Sequence, residues 1–255
     1  MSRRRIQDIK LAFRMPYRDF THMKDIHCWQ EKFEPCSYSD KLLGKLTELN
    51  NRAVHQVDIT EVKKAIYYAK KYHGDQKRLS GEPYYSHPLE VAYMISDYLL
   101  KTDVIVASIL HDIVEDSTLT TGIILDIFGP RVAEMVDRLT RDRPDGSKLS
   151  IEEILHNAYM QEDKEVLLIK IIDRLHNMKT INIKSSKKIR KTVDETLMRF
   201  ISLSIYLGVP RIEKILSELC IKSINLLNKQ ESSSNCLIPS LKQRSKISQI
   251  HNLLP

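Results

Sequence analysis

Apolar residues recur along this chain at the spacing of an α-helix. Val62, Ala65, Ile66, Ala69 and Tyr72 fall three and four apart, which gathers them on one helical face. Residues 104–110 form a continuous apolar run that ends in His111-Asp112. Residues 166–178 are apolar on nearly all sides, the pattern of a central buried helix. Alternation with a period of two is absent, and Gly is scarce, at 7 of 255 residues. Helix punctuation agrees. Ser150 with Glu153 reads as a capping box, and Gly129-Pro130 and Gly208-Val209-Pro210 read as a helix stop followed by a new start. Arg143-Pro144-Asp145-Gly146 reads as a turn. The pattern predicts an all-α fold, with no internal repeat and no glycine-rich phosphate loop.

Polar groups at the edges of these apolar runs carry the candidate chemistry. His111, Asp112, Glu115 and Asp116 close the 104–110 run. Burying carboxylates without partners is costly, and a metal ion is one of the few groups that offsets the cost. On a continuous helix His111 and Asp112 would point about 100° apart and both reach an ion beside it. A His-Asp dipeptide alone is weak, so further ligands are needed. His87 precedes Pro88, which is expected to hold it in extended geometry at the mouth of a helix. Asp173 sits within the most apolar helix and needs a partner there; Arg174 is the plain alternative to a metal. Lys170, Asp173, Asn177 and Thr180 fall on one stripe, the expected wall of a pocket.

These residues resemble a known family. His87-Pro88, then His111-Asp112, then Asp173 stand in the order of the HD-domain metal-dependent phosphohydrolases. The likeness is closer to one branch, the hydrolase domain of the RelA/SpoT alarmone enzymes. It is carried by His73, by Gln76-Lys77-Arg78-Leu79-Ser80-Gly81-Glu82-Pro83-Tyr84 and by His87-Pro88-Leu89-Glu90-Val91-Ala92. It continues through Leu110-His111-Asp112-Ile113-Val114-Glu115-Asp116, Phe128-Gly129 and Asp173-Arg174-Leu175-His176-Asn177-Met178 to Glu195-Thr196-Leu197 and Leu207-Gly208. The resemblance implies an all-α HD-domain helical bundle that removes the 3′-pyrophosphate of guanosine tetra- and pentaphosphate. It implies Mn2+, or another divalent transition metal, on His87, His111, Asp112 and Asp173. It implies catalytic roles for Glu115 and Asp116 and contacts to a guanosine polyphosphate from Arg78, Ser80, Asn177 and Thr180. His73 is expected to be structural, and His176 to face away from the pocket.

The chain departs from the family pattern at three places. Leu79 stands where Lys is usual, Asp75 where Gly is usual, and Tyr206 where His is common. Leu79 removes a cation from the neighbourhood of a polyphosphate and Asp75 adds an anion, with Lys77 a partial replacement. These changes bear on substrate affinity and identity rather than on the metal. They keep two alternatives in view: an HD phosphohydrolase acting on another nucleotide, and a non-catalytic alarmone-binding sensor. The full ligand set and the Glu115-Asp116 pair argue for an enzyme, since a pure binder needs neither.

Charge sorts the chain into three parts. The net charge is +7, yet residues 58–220 carry 24 Lys/Arg against 25 Asp/Glu. The excess lies in residues 1–57, with 11 against 7, and in residues 221–255, with 5 against 1. Nucleic-acid binding by the central segment therefore has little support. Residues 1–57 are expected to be a basic leader, partly helical or loosely packed, carrying Phe13, Phe20, Trp29 and Phe33. Residues 58–226 are the expected hydrolase domain and 227–255 a flexible tail. The chain is expected to lack the synthetase domain of long family members. Cys28, Cys36, Cys220 and Cys236 show no C-x-x-C spacing, as for free thiols in a reducing compartment. With no apolar run long enough to span a bilayer and no secretory h-region, the expected location is the cytoplasm, with no membrane partner. Oligomeric state is left unassigned.

Overall fold

The computed structural model describes residues 28–234 of the chain. The helices are α1 (Ser37–Asn50), α2 (Ile59–His73), α3 (Ser86–Ile95), α4 (Thr102–Ile109) and the single turn α5 (Ile113–Asp116). They continue as α6 (Thr121–Phe128), α7 (Pro130–Leu139), α8 (Ile151–Met160), α9 (Lys164–Lys179), α10 (Ser186–Glu195), α11 (Ile201–Tyr206) and α12 (Pro210–Ser234). A 3-10 turn (Ile181–Ile183) follows α9, and a π-turn (Thr196–Phe200) joins α10 to α11. No strand occurs among the described residues; two isolated bridges, Lys77 with Pro83 and Asp142 with Lys148, pinch two loops. The all-α expectation holds.

Local chemistry sets the helix ends. Asp58 caps α2 by accepting from the Thr60 and Glu61 amides. Ser150 and Glu153 form the expected capping box at α8, with bonds of 2.8 and 3.2 Å. Gly129 takes φ +83°, a conformation open mainly to glycine, and Pro130 then opens α7. Gly208 does the same before Pro210, with φ +66°. The Arg143–Gly146 turn is closed by the Gly146 amide donating to the Arg143 carbonyl at 2.9 Å.

α9 is the axis of the bundle. Val166, Leu167, Ile169, Ile171 and Ile172 on it are fully buried. It packs on α3 and α12, with α8 on a further side, and reaches α4 and α7. The apolar run of α4 is likewise buried, from Val104 to Ile109. The amphipathic face of α2 lays Val62, Ala65, Ile66 and Ala69 into the same core.

Within the expected leader, α1 packs on α3 and α2 and buries Leu42 and Leu46. Lys41 pairs with Glu90 at 2.6 Å, and Lys45 with Asp97 at 2.7 Å, both lysines lying over the Tyr93 ring. Trp29 is buried and Phe33 partly so; Phe13 and Phe20 lie outside the described residues. At the other end α12 runs through Ser234, so 227–234, expected as the start of a flexible tail, are helical. Leu227 is buried, which gives the helix a reason to continue past 226. The rest of that tail lies outside the described residues.

Candidate metal and nucleotide site

The candidate ligands converge from three separate stretches of chain. His87 comes from α3, His111 from the break between α4 and α5, and Asp173 from the middle of α9. Their ligand atoms all lie within 4.8 Å of one another. His87 Nε2 is 3.0 Å and His111 Nε2 3.7 Å from Asp173 Oδ1. Both imidazoles are almost completely buried.

Two local expectations need correction. His111 and Asp112 do not ride on a continuous helix. α4 stops at Ile109, and α5 begins at Ile113, so the pair occupies the break. The His111 side chain turns back to Ser108, whose carbonyl accepts from Nδ1 at 2.8 Å. A carbonyl can only accept, so Nδ1 carries the proton and Nε2 presents a lone pair to the cluster. Second, His87 is inside the first turn of α3 rather than extended at its mouth. Its amide bonds to the Tyr84 carbonyl at 3.2 Å. Pro88 is tolerated there because first-turn amides have no intrahelical acceptor to lose.

Asp112 stands beside the trio. Its Oδ2 is 3.9 Å from His111 Nε2, and its Oδ1 is 3.6 Å from His73 Nε2. Asp112 Oδ1 and His73 Nε2 are both buried with no hydrogen-bond partner. An orphaned buried carboxylate oxygen beside a cluster of imidazoles and a second carboxylate is a donor set that a divalent cation satisfies. The residues present thus fit a metal. Asp173 is not spent on the plain alternative: Arg174 pairs instead with Glu195 at 2.8 Å and lies over the Phe200 ring.

Electrostatics follow from burial and proximity. Burial alone would lower the His111 pKa, but Asp112 and Asp173 outweigh it and push it up to about 9. Burial would raise both carboxylates, and the neighbouring histidines instead hold Asp112 and Asp173 below the usual range. Burial pushes Lys170 down, against the pull of Asp173.

His176 does not face away, as expected; it touches His87. Their Nδ1 atoms are 2.8 Å apart, and burial with the neighbouring His87 lowers its pKa to about 3. A neutral His176 is an acceptor that fixes the His87 ring with Nε2 toward Asp173. The signal was present in the sequence, because 176 lies three residues after 173 and shares its face. Asn177 donates to Asp173 Oδ1 at 2.6 Å, while the Thr180 hydroxyl is turned to the carbonyls of His176 and Asn177.

A cavity of about 530 Å³ opens over this cluster. Lys170, Asp173, Asn177 and Thr180 all line it, as the stripe on α9 predicts. Glu115 lines it too, with Oε1 accepting from the Arg141 amide at 2.8 Å. Asp116 is not among the lining residues. Its Oδ2 accepts from the Tyr84 hydroxyl at 2.7 Å, and its backbone carbonyl accepts from Gln76 Nε2 at 2.8 Å. Tyr84 lines the cavity, and burial with the adjacent carboxylates raises its pKa, so the hydroxyl stays protonated. Arg78 and Leu79 line the mouth; Ser80 is exposed outside it and is 3.4 Å from Glu82. Tyr206 is remote, packed by Tyr159. Sequence reasoning did not single out Tyr84, Arg141, Lys184 and Lys191 for the site; each reaches the cavity from another loop or helix.

Residues 65–209 match the HD domain family, and the ligand trio lies within that span. The chain belongs to the HD domain family. Among similar proteins is "GTP pyrophosphokinase rsh" of Brucella ovis, 37% identical over 186 residues, covering 71% of this chain and 25% of that protein. Another is "Guanosine-3′,5′-bis(diphosphate) 3′-pyrophosphohydrolase" of Aquifex aeolicus, 35% identical over 164 residues, covering 64% of this chain and 24% of that protein. The chain thus spans about a quarter of the length of the curated relatives it matches. A solved structure described as a metazoan ortholog of SpoT that hydrolyzes ppGpp shares the fold. Its TM-score is 0.53 at 22% identity, covering 67% of this chain and 98% of that one.

Proposed function

We propose that this HD domain is a metal-dependent hydrolase that removes the 3′-pyrophosphate of guanosine tetra- and pentaphosphate. The observation that carries the reading is the His87–His111–Asp173 cluster set in a cavity lined by Arg78, Arg141, Lys170, Arg174, Lys184 and Lys191. A buried cation site beneath six cationic side chains suits a polyanion whose phosphoryl group reacts. The relatives named for guanosine polyphosphate metabolism support the same substrate class.

His87, His111 and Asp173 hold the ion in this reading, and Asp112 completes the set through the oxygen that has no partner in the protein. The nitrogen and oxygen donors suit manganese, and also iron or zinc; Mn2+ is the ion that the resemblance implies. When bound, the ion supplies Lewis acidity and lowers the pKa of water. Glu115, with one oxygen held by the Arg141 amide, faces the cavity and accepts the proton of the attacking water. That attack on phosphorus breaks the bond to the 3′-oxygen, and the proton taken up by Glu115 passes to that oxygen, so the products are pyrophosphate and a 3′-hydroxyl. Asp116 bears on the site through Tyr84, which it holds at the cavity wall. Asn177 orients Asp173, and with Thr180 it lines the wall where the nucleoside lies. Arg78 takes the guanine face or a phosphate, since a guanidinium suits both.

The hydrolase unit in this reading is residues 58–226, with α1 as an added helix. Among the described residues Cys28, Cys36 and Cys220 form no disulfide, which suits the cytoplasm. No helix among the described residues is long and apolar enough to cross a membrane.

The test is turnover by the purified protein. Pyrophosphate should be released from guanosine tetraphosphate without ATP, be abolished by a chelator and return with Mn2+. The exposed Leu79 at the mouth favours one other reading, a different nucleotide substrate. If metal-loaded protein leaves guanosine tetraphosphate intact and hydrolyses another member of a nucleotide panel, that reading replaces this one.

A further inference from the structure

Of the six described cations that line the cavity, Lys170 alone is buried, at 6% exposure. Its chain neighbours on α9, Ile169 and Ile171, lie in the core. Arg174 and Lys191 share the Glu195 carboxylate, and Arg141 donates Nε to the Leu149 carbonyl at 2.9 Å. Lys170 has no hydrogen bond and no ion pair among the described residues. Its ammonium opens to the cavity rather than being sealed in the core. An ammonium held at low exposure without a partner costs stability. Burial lowers its pKa, against the pull of Asp173, Glu115 and Asp112. An anion that enters the cavity and reaches the ammonium removes that cost.

Helix geometry places Lys170 at the reacting centre. It stands one turn before Asp173 on the same face of α9, and Asn177 stands one turn after. Asn177 occupies Asp173 Oδ1 at 2.6 Å, while Lys170 makes no bond to that carboxylate. Thr180 lies further along the same stripe, about 15 Å of helical rise from Lys170. A nucleoside at the Asn177–Thr180 end leaves its 3′ substituent on the Asp173–Lys170 side.

We propose that Lys170 is a catalytic residue whose ammonium pairs with the non-bridging oxygens of the 3′-pyrophosphoryl group as water adds to phosphorus. The pairing strengthens as negative charge gathers on those oxygens, so it lowers the barrier more than it tightens substrate binding. Lys170 transfers no proton. The bond from water to phosphorus forms, the bond to the 3′-oxygen breaks, and the proton moves from water through Glu115 to that oxygen. This inference rests on the hydrolase reading for the identity of the substrate, but not for the contact between Lys170 and a phosphoryl group.

The experiment uses metal-loaded full-length protein carrying Lys170→Met, which keeps the reach of the side chain and removes its charge, or Lys170→Arg, which keeps the charge. On guanosine tetraphosphate, Lys170→Met should lower kcat about 100-fold and move KM by less than about three-fold. Lys170→Arg should recover part of the loss. Lys170→Met should hold its metal and melt at or above the wild-type Tm, because the ammonium it removes has no partner in the protein. A structural lysine would move that Tm downward. Calorimetric titration with orthovanadate, which takes the five-coordinate geometry of phosphorus under attack, reads the contact without turnover. Its affinity should fall about ten-fold or more in Lys170→Met. Affinity for GDP, which has no 3′-phosphate, should stay as in the wild type. Unchanged kcat, a loss confined to KM, a lower Tm, or orthovanadate bound equally by wild type and Lys170→Met, or by neither, overturns the proposal. Failure of both variants to fold also overturns it. If wild-type protein leaves guanosine tetraphosphate intact, the hydrolase reading fails, and the orthovanadate and Tm comparisons still decide the role of Lys170.

Discussion

Removing the metal should expose a pH dependence of stability centred on His111. In the metal-free protein this buried imidazole sits between Asp112 and Asp173, which push its pKa up to about 9 against the effect of burial. In the unfolded chain it titrates near about 6.5. The folded value is raised, so the stabilisation is fully present below pH 6.5 and is lost as pH rises through about 9. The gap corresponds to on the order of 3 kcal/mol. For a chain of this size that is a fall in Tm of roughly 5–10 °C. His176, already lowered to about 3, stays neutral across this window and adds no slope above its unfolded pKa. A divalent ion takes the place of the proton on Nε2, so metal-loaded protein should show no such loss, and metal affinity should rise over the same range. Thermal melts from pH 6 to 9.5, with chelator and with Mn2+, give the two curves. His111→Gln keeps every other titrating group, so the difference between it and wild type isolates this one. A chelated wild type whose Tm is flat across the window, or one that falls in parallel with the metal-loaded protein, refutes the reasoning.

Asp112→Ala removes the carboxylate whose Oδ1 lacks a partner in the protein. Metal content should drop and the Tm of the metal-treated protein should fall; unchanged stoichiometry by elemental analysis would remove Asp112 from the ligand set. Tyr84→Phe deletes the 2.7 Å donation to Asp116, a charge-assisted bond worth about 1.5–3 kcal/mol. It should lower kcat about ten-fold with metal content intact, and an unaltered kcat would mean that the Tyr84–Asp116 pair has no part in turnover. Glu195→Gln breaks the partner of Arg174 at the cavity wall. Calorimetry should show a loss of about 1–3 kcal/mol, and an unshifted Tm would show that the Phe200 stack alone holds Arg174.

The helical architecture was legible because local rules and core burial agree. A face at 3.6-residue spacing, a Ser–Glu capping box and Gly-Pro boundaries each act within a few residues, and the bundle keeps all of them. The candidate ligands His87, His111, Asp112 and Asp173 and the polar stripe on α9 stood out in the sequence for a related reason. A charged group in an apolar run demands a partner, and the sequence displays both the group and the run. Tertiary structure alone decided how those groups meet. His111 meets Asp173 from the break after Ile109, where the sequence pattern reads as one continuing helix. The turn of His176 onto His87 depends on how α3 packs on α9. Asp116 bears on the cavity through Tyr84, and Lys184 comes to the cavity wall at the end of the 3-10 turn that follows α9. Each of these brings together stretches far apart in sequence. Periodicity reports which face of an element is buried, whereas distances between elements are set by the packing of the whole core.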